Sequence, residues 1–216
     1  MKKVFKHKKK QSGFVGPLFV AILLIAVVMG AMAKMSRNST TGVTDQGAKT
    51  NAAVLMKQSS DFKAGFDRLL TTGTVTANQI TFDTNATTGL FNPTPGAQYA
   101  VLHTPPAGVA QSGTPAYTYN PNIKLPSIGS NSAADGVVVV GNISLAVCNQ
   151  INTQLYNDAA TNTPATSTGS SASWMGTAAI DDSGLTTNGN FYNGRPEGCV
   201  KTSDGQYVYY KALNEV

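Results

Sequence analysis

The sequence predicts an α+β protein: a long N-terminal helix, apolar in its first half and amphipathic in its second, packed on a small antiparallel sheet domain closed by one disulfide. Three features predict it. Residues 14–33 carry no charge, and apolar residues between 52 and 70 recur at three- and four-residue steps. A β-branched run at 137–140 and an alternating stretch at 206–213 flank two cysteines.

Residues 1–13 form a basic leader. Six of the sixteen Lys and Arg lie there, at Lys2, Lys3, Lys6, Lys8, Lys9 and Lys10, and beyond Gly13 ten basic groups face eleven acidic ones. The rest of the chain is therefore near neutral, so nucleic acid is not expected as a partner: phosphate affinity needs a basic patch on the folded part. The lysine run reads as a topogenic signal that holds the N-terminus in the cytoplasm.

Residues 14–33, FVGPLFVAILLIAVVMGAMA, are long enough as a helix, at about 1.5 Å per residue, to cross a hydrocarbon core of about 30 Å. Pro17 sits where a proline is harmless, in the first turn of a helix that starts near Phe14. Three fates are open to this segment. Cleavage between Gly13 and Phe14 keeps the helix as the new N-terminus, cleavage after Ala33 in Ala31-Met32-Ala33 discards it, and no cleavage leaves a signal anchor. The chain then runs on through residues 34–73 as an amphipathic continuation, with Ala52, Ala53, Leu55, Met56, Phe62, Phe66, Leu69 and Leu70 on its apolar stripe. That continuity favours retention over release. Gly42 and Gly47 predict a bent or melted stretch between residues 36 and 48.

Residues 74–216 make the head domain. Most of the prolines fall between 74 and 135, which predicts a long connection with short strands at 98–102 and 117–119. Val137 to Val140 reads as a central strand, and Ser144 as the cap of a helix running to Asp158 with Leu145, Cys148, Ile151, Asn152 and Leu155 on one face. A flexible loop is expected at 159–173 and a last strand at 206–213. Cys148 and Cys199, on the exported side, read as a disulfide; two buried free thiols are the alternative.

The sequence predicts no cofactor or metal site and carries no catalytic motif. His7 and His103 are the only histidines, and no GxSxG, HExxH, phosphate-binding glycine loop or CxxC occurs. Asp158, Asp181, Asp182 and Asp204 lack the spacing of a calcium loop and read as solvated turn carboxylates. Trp174 with Tyr192, Tyr207, Tyr209 and Tyr210 reads as core packing before an adhesive surface. Asn38, Asn85 and Asn142 head Asn-x-Ser/Thr triplets, acceptors for glycan only in a host with that machinery and without weight in a bacterial reading.

The basic leader ending in Gly13, the apolar helix from Phe14, its amphipathic half and the cysteine-bridged C-terminal part together resemble a type IV pilin or pseudopilin precursor. The resemblance covers residues 1–70 and, more loosely, the bridged region. It implies a single-pass subunit of the bacterial inner membrane with a cytoplasmic N-terminus, cut after Gly13 by a prepilin peptidase and methylated at Phe14. It also implies assembly with other pilin-like subunits through the apolar helix, at positions such as Leu18, Phe19, Leu23 and Leu24, and no enzymatic activity. Such subunits carry glutamate as the fifth mature residue, where this chain has Leu18, and a hydroxyl residue as the second, where it has Val15. A missing glutamate is the pattern of subunits at the tip of related secretion systems. The alternative reading is a secreted or membrane-anchored binding or adhesion protein cut after Ala33.

Overall fold

The computed structural model describes residues 45–72, 75–85, 87–93, 99–130, 133–157, 164–183 and 193–215. From Asp45 onward the chain packs as one compact unit. Helix α1 occupies residues 45–72. Its buried side chains, Ala48, Ala52, Leu55, Ser59, Phe62, Phe66 and Leu69, are spaced four and three residues apart in strict alternation, so they form one stripe on one side of the helix, with Gly65 buried beside it. The expected stripe is recovered except at Ala53, which is exposed, and Met56 and Leu70, which are half-buried at its margins. The bend expected up to residue 48 does not reach the described part: 45–48 are already helical, and 36–44 lie outside the described residues.

The sheet has five strands: β1 (Tyr117–Lys124), β2 (Asp135–Val140), β3 (Ile180–Asp181), β4 (Glu197–Lys201) and β5 (Tyr207–Asn214), in the order β3-β1-β2-β5-β4. It is not wholly antiparallel. The short edge strand β3 runs parallel to β1, pairing Ile123 with Ile180 and Lys124 with Asp181, because the chain enters it from a crossover and not from a hairpin. Pairings of β1 with β2, β2 with β5 and β5 with β4 are antiparallel. The β-branched run lies centrally in β2, as expected, and every residue of that strand is buried. Gly136 leaves room there for the Tyr119 ring, since a Cβ would lie 2.2 Å from the Tyr119 hydroxyl.

Both faces of the sheet are covered. On one, Val138, Val140, Tyr117 and Tyr209 meet the α1 stripe and helix α2 (Leu145–Tyr156). On the other, Val137, Val139, Val208 and Tyr210 meet Ile123, Leu125, Ile180 and Trp174. Trp174 belongs to α3 (Ser171–Met175), a short helix inside the stretch expected to be a flexible loop. There Ser167 is buried and accepts the Trp174 indole N–H at 2.9 Å, so packing overrides the loop-like composition. The strand expected at 98–102 does not form over its described part. Tyr99 and Ala100 cross α1 at Gly65, where a side chain would clash with them at 2.7 Å, and Ala100 N–H donates to Leu90 instead of to the sheet.

Candidate functional site

Of the sequence-predicted site residues, Gly13, Phe14, Leu18, Phe19, Leu23 and Leu24 lie outside the described residues, as do the leader, the apolar run and Ala33. Among the described residues no helix is long and apolar enough to cross a membrane. The Cys148–Cys199 disulfide is present, both cysteines buried, joining α2 to β4. The candidate site is therefore the surface where α1 and α2 seat on the sheet.

Aromatic rings fill the centre of that seat. Phe62 meets Tyr117, Phe82 and Phe91 edge-on, with ring centroids 4.8, 5.3 and 5.6 Å apart. Polar groups then fix the register. Ser59 sits fully buried in the stripe because its hydroxyl donates to the Leu55 carbonyl at 2.8 Å and lies against the Tyr209 hydroxyl. The Tyr209 phenol donates to Glu197 at 2.7 Å, and Lys211 joins the other Glu197 oxygen at 2.7 Å and Ser60 at 2.9 Å. Burial, then the Glu197 carboxylate, raises Tyr209 well above the usual tyrosine range. This chain from α1 through β5 to β4 joins groups 150 residues apart in sequence, and only the apolar spacing around Ser59 hints at it. Ser60 and Lys211 match a serine–lysine dyad in composition only: the ammonium is committed to Glu197, and the serine hydroxyl donates to the Met56 carbonyl at 2.7 Å.

Helix α2 starts where predicted, with Ser144 accepting the Val147 N–H, and ends at Asn157 in a left-handed conformation. Val147, Cys148 and Ile151 are its buried residues, while Leu145, expected on that face, is 41% exposed. Three residues one turn apart, Cys148, Asn152 and Tyr156, address the outer edge of β4. Asn152 accepts the Cys199 N–H and donates to its carbonyl, both at 2.9 Å, in place of a neighbouring strand. Tyr156 donates to the Glu197 carbonyl at 2.5 Å, and Lys201 exchanges bonds with Ala165 and Ser167. The edge strand is thereby closed.

The aspartates divide. Asp181 and Asp204 are exposed; Asp204 caps α3 by accepting from Ser171 and Thr202, whose hydroxyls hold it down at about 2, and Ser183 lowers Asp181. Asp182, expected to be solvated, is instead buried and takes both the N–H and hydroxyl of Thr168, because the crossover folds over it. Asp158 lies outside the described residues. No group of three or more His, Cys, Asp or Glu disposed to hold a metal occurs among the described residues. His103 is a loop residue with Nε2 3.5 Å from Asp61. Trp174, Tyr209 and Tyr210 are core residues, and Tyr192 lies outside the described residues. An open groove of about 670 Å³ runs between α1 and α2, floored by Ala53 and Val54 and flanked by Lys49, Lys57 and Gln154. Compared with family models, curated proteins and solved structures, the chain matches none.

Proposed function

We propose that this chain is a structural, non-catalytic subunit of a type IV pilus or secretion pseudopilus, in a minor or tip position. In this reading it waits in the bacterial inner membrane, N-terminus cytoplasmic, is cut after Gly13 by a prepilin peptidase, and assembles with other pilin-like subunits through the apolar helix that includes Leu18, Phe19, Leu23 and Leu24. The observation that supports it most is α1. An amphipathic helix seated by a regular stripe on a disulfide-closed sheet follows directly on the segment that holds the charge-free run of residues 14–33. Leu18 in place of glutamate supports the tip position.

A second reading, a binding or adhesion protein released after Ala33, has Ala31-Met32-Ala33 in its favour. One measurement separates them. Mass spectrometry of the membrane-extracted protein is expected to find N-methylated Phe14 as the first residue, and a mature chain starting at Lys34 would overturn the pilin-like reading.

A further inference from the structure

We propose that Asn85 is an acceptor for N-linked glycan, transferred from an isoprenoid-diphosphate-linked oligosaccharide; the proposal rests on the head domain being exported. Of the triplets, Asn38 lies outside the described residues. Asn142 is spent: its Nδ2 donates to the Ser112 carbonyl at 2.5 Å, Ile143 beside it is fully buried, and Ser144 caps α2. At Asn85 the carboxamide nitrogen is not so engaged, and Thr87 caps no helix.

Residues 81–85 and 87–91 are tied together as the base of a loop, with Thr81 N–H donating to Thr88, Leu90 N–H to Thr81 and Phe91 N–H to Asp83. Gly89 closes it, since a Cβ there would stand 2.3 Å from the Asn85 nitrogen. Asp83, Asn85 and Thr87 are exposed on this loop. The Asn85 side-chain oxygen accepts the Thr87 and Thr88 N–H groups at 2.9 and 3.3 Å, which orients the carboxamide, and its Nδ2 has no partner among the described residues. One Asp83 oxygen accepts from Thr81 and from the Asn85 N–H, both at 2.8 Å. Asp83 is exposed and its other oxygen has no bond among the described residues, which leaves a charged handle two residues before the acceptor that an arginine on a transferase can grip. The Thr87 hydroxyl, two residues after it, completes the Asn-x-Thr pattern.

In the transfer step the Asn85 Nδ2 attacks the anomeric carbon of the donor sugar. The carbon–oxygen bond to the diphosphate breaks, the isoprenoid diphosphate leaves with that electron pair, and the amide nitrogen gives up one proton to the transferase's base.

The test is to produce the full chain in a bacterial host carrying a periplasmic oligosaccharyltransferase, its lipid-linked donor and a control acceptor protein, then map glycopeptides and thiols together. The expected result is glycan on the peptide containing Asn85, lost in Asn85→Gln and in Thr87→Ala, reduced in Asp83→Ala and retained in Asn142→Gln. Thr87→Ala leaves Asn85 and its backbone bonds in place, so its loss of glycan reports recognition and not folding. An unmodified Asn85 in protein whose Cys148–Cys199 bridge has formed, beside a fully modified control, would overturn the proposal while leaving export intact. Recovery with both thiols free and no glycan would overturn the export reading and this proposal with it.

Discussion

At Tyr209 the phenol lies between Ser59 on α1 and Glu197 on β4, wholly out of water. Tyr210 on the opposite face is equally buried, and burial likewise raises it well above the usual value. Burial also raises Tyr117, with help from Glu197, and pushes Tyr119 up to about 12. The folded protein therefore holds these phenols neutral at a pH where the unfolded chain would ionise them. Since each folded value lies above the unfolded value of 10.0, the stabilisation is complete below that value and is lost as pH rises through the folded ones. Thermal melts are expected to be flat from neutral pH to about pH 9 and to fall steeply above about pH 10. Phenolate absorbance from these four tyrosines should appear together with unfolding and not before it; independent titration while the fold is intact would contradict the packing described.

Among the elements, α2 shows most clearly what spacing encodes and what it leaves out. Its cap at Ser144 and the buried turn at Cys148 and Ile151 are legible, because helix starts and apolar periodicity are local signals. Asn152 is legible as a residue facing the domain, but its role is not, since pairing with the Cys199 peptide is set by how a helix meets a strand 47 residues on. The same holds for Ser59, a polar residue in an apolar stripe, and for Trp174, whose short helix is masked by Ser and Thr around it. The Val137–Val140 strand and the 207–214 strand are both readable from β-branching and alternation, whereas the parallel β3, two residues long, carries too little pattern to be seen. Replacing Asn152 with alanine strips β4 of its substitute neighbour. It is expected to cost about 1–3 kcal/mol, read from the urea midpoint. Amide exchange at Cys199 is expected to accelerate, and unchanged exchange there would sink the edge-closing role.

For the whole molecule, the bridge between residues 51 positions apart restricts the unfolded chain, and in the loop-entropy model it contributes about 4 kcal/mol. Urea unfolding with and without a dithiol reductant is expected to differ by that order, with the Cys148→Ala/Cys199→Ala variant matching the reduced protein. Equal midpoints would mean that the two core layers alone hold the domain. The bridge spans only the second half of the domain: α1, β1 and β2 all precede Cys148. A pull applied lengthwise through α1 consequently meets the packing under that helix before it reaches the sulfur link. Such a load passes by shear into the rings around Phe62 and the Ser60–Lys211–Glu197 tie, so the slip plane lies under the long helix, while the covalent staple keeps the carboxy-terminal half from unravelling after that plane gives way.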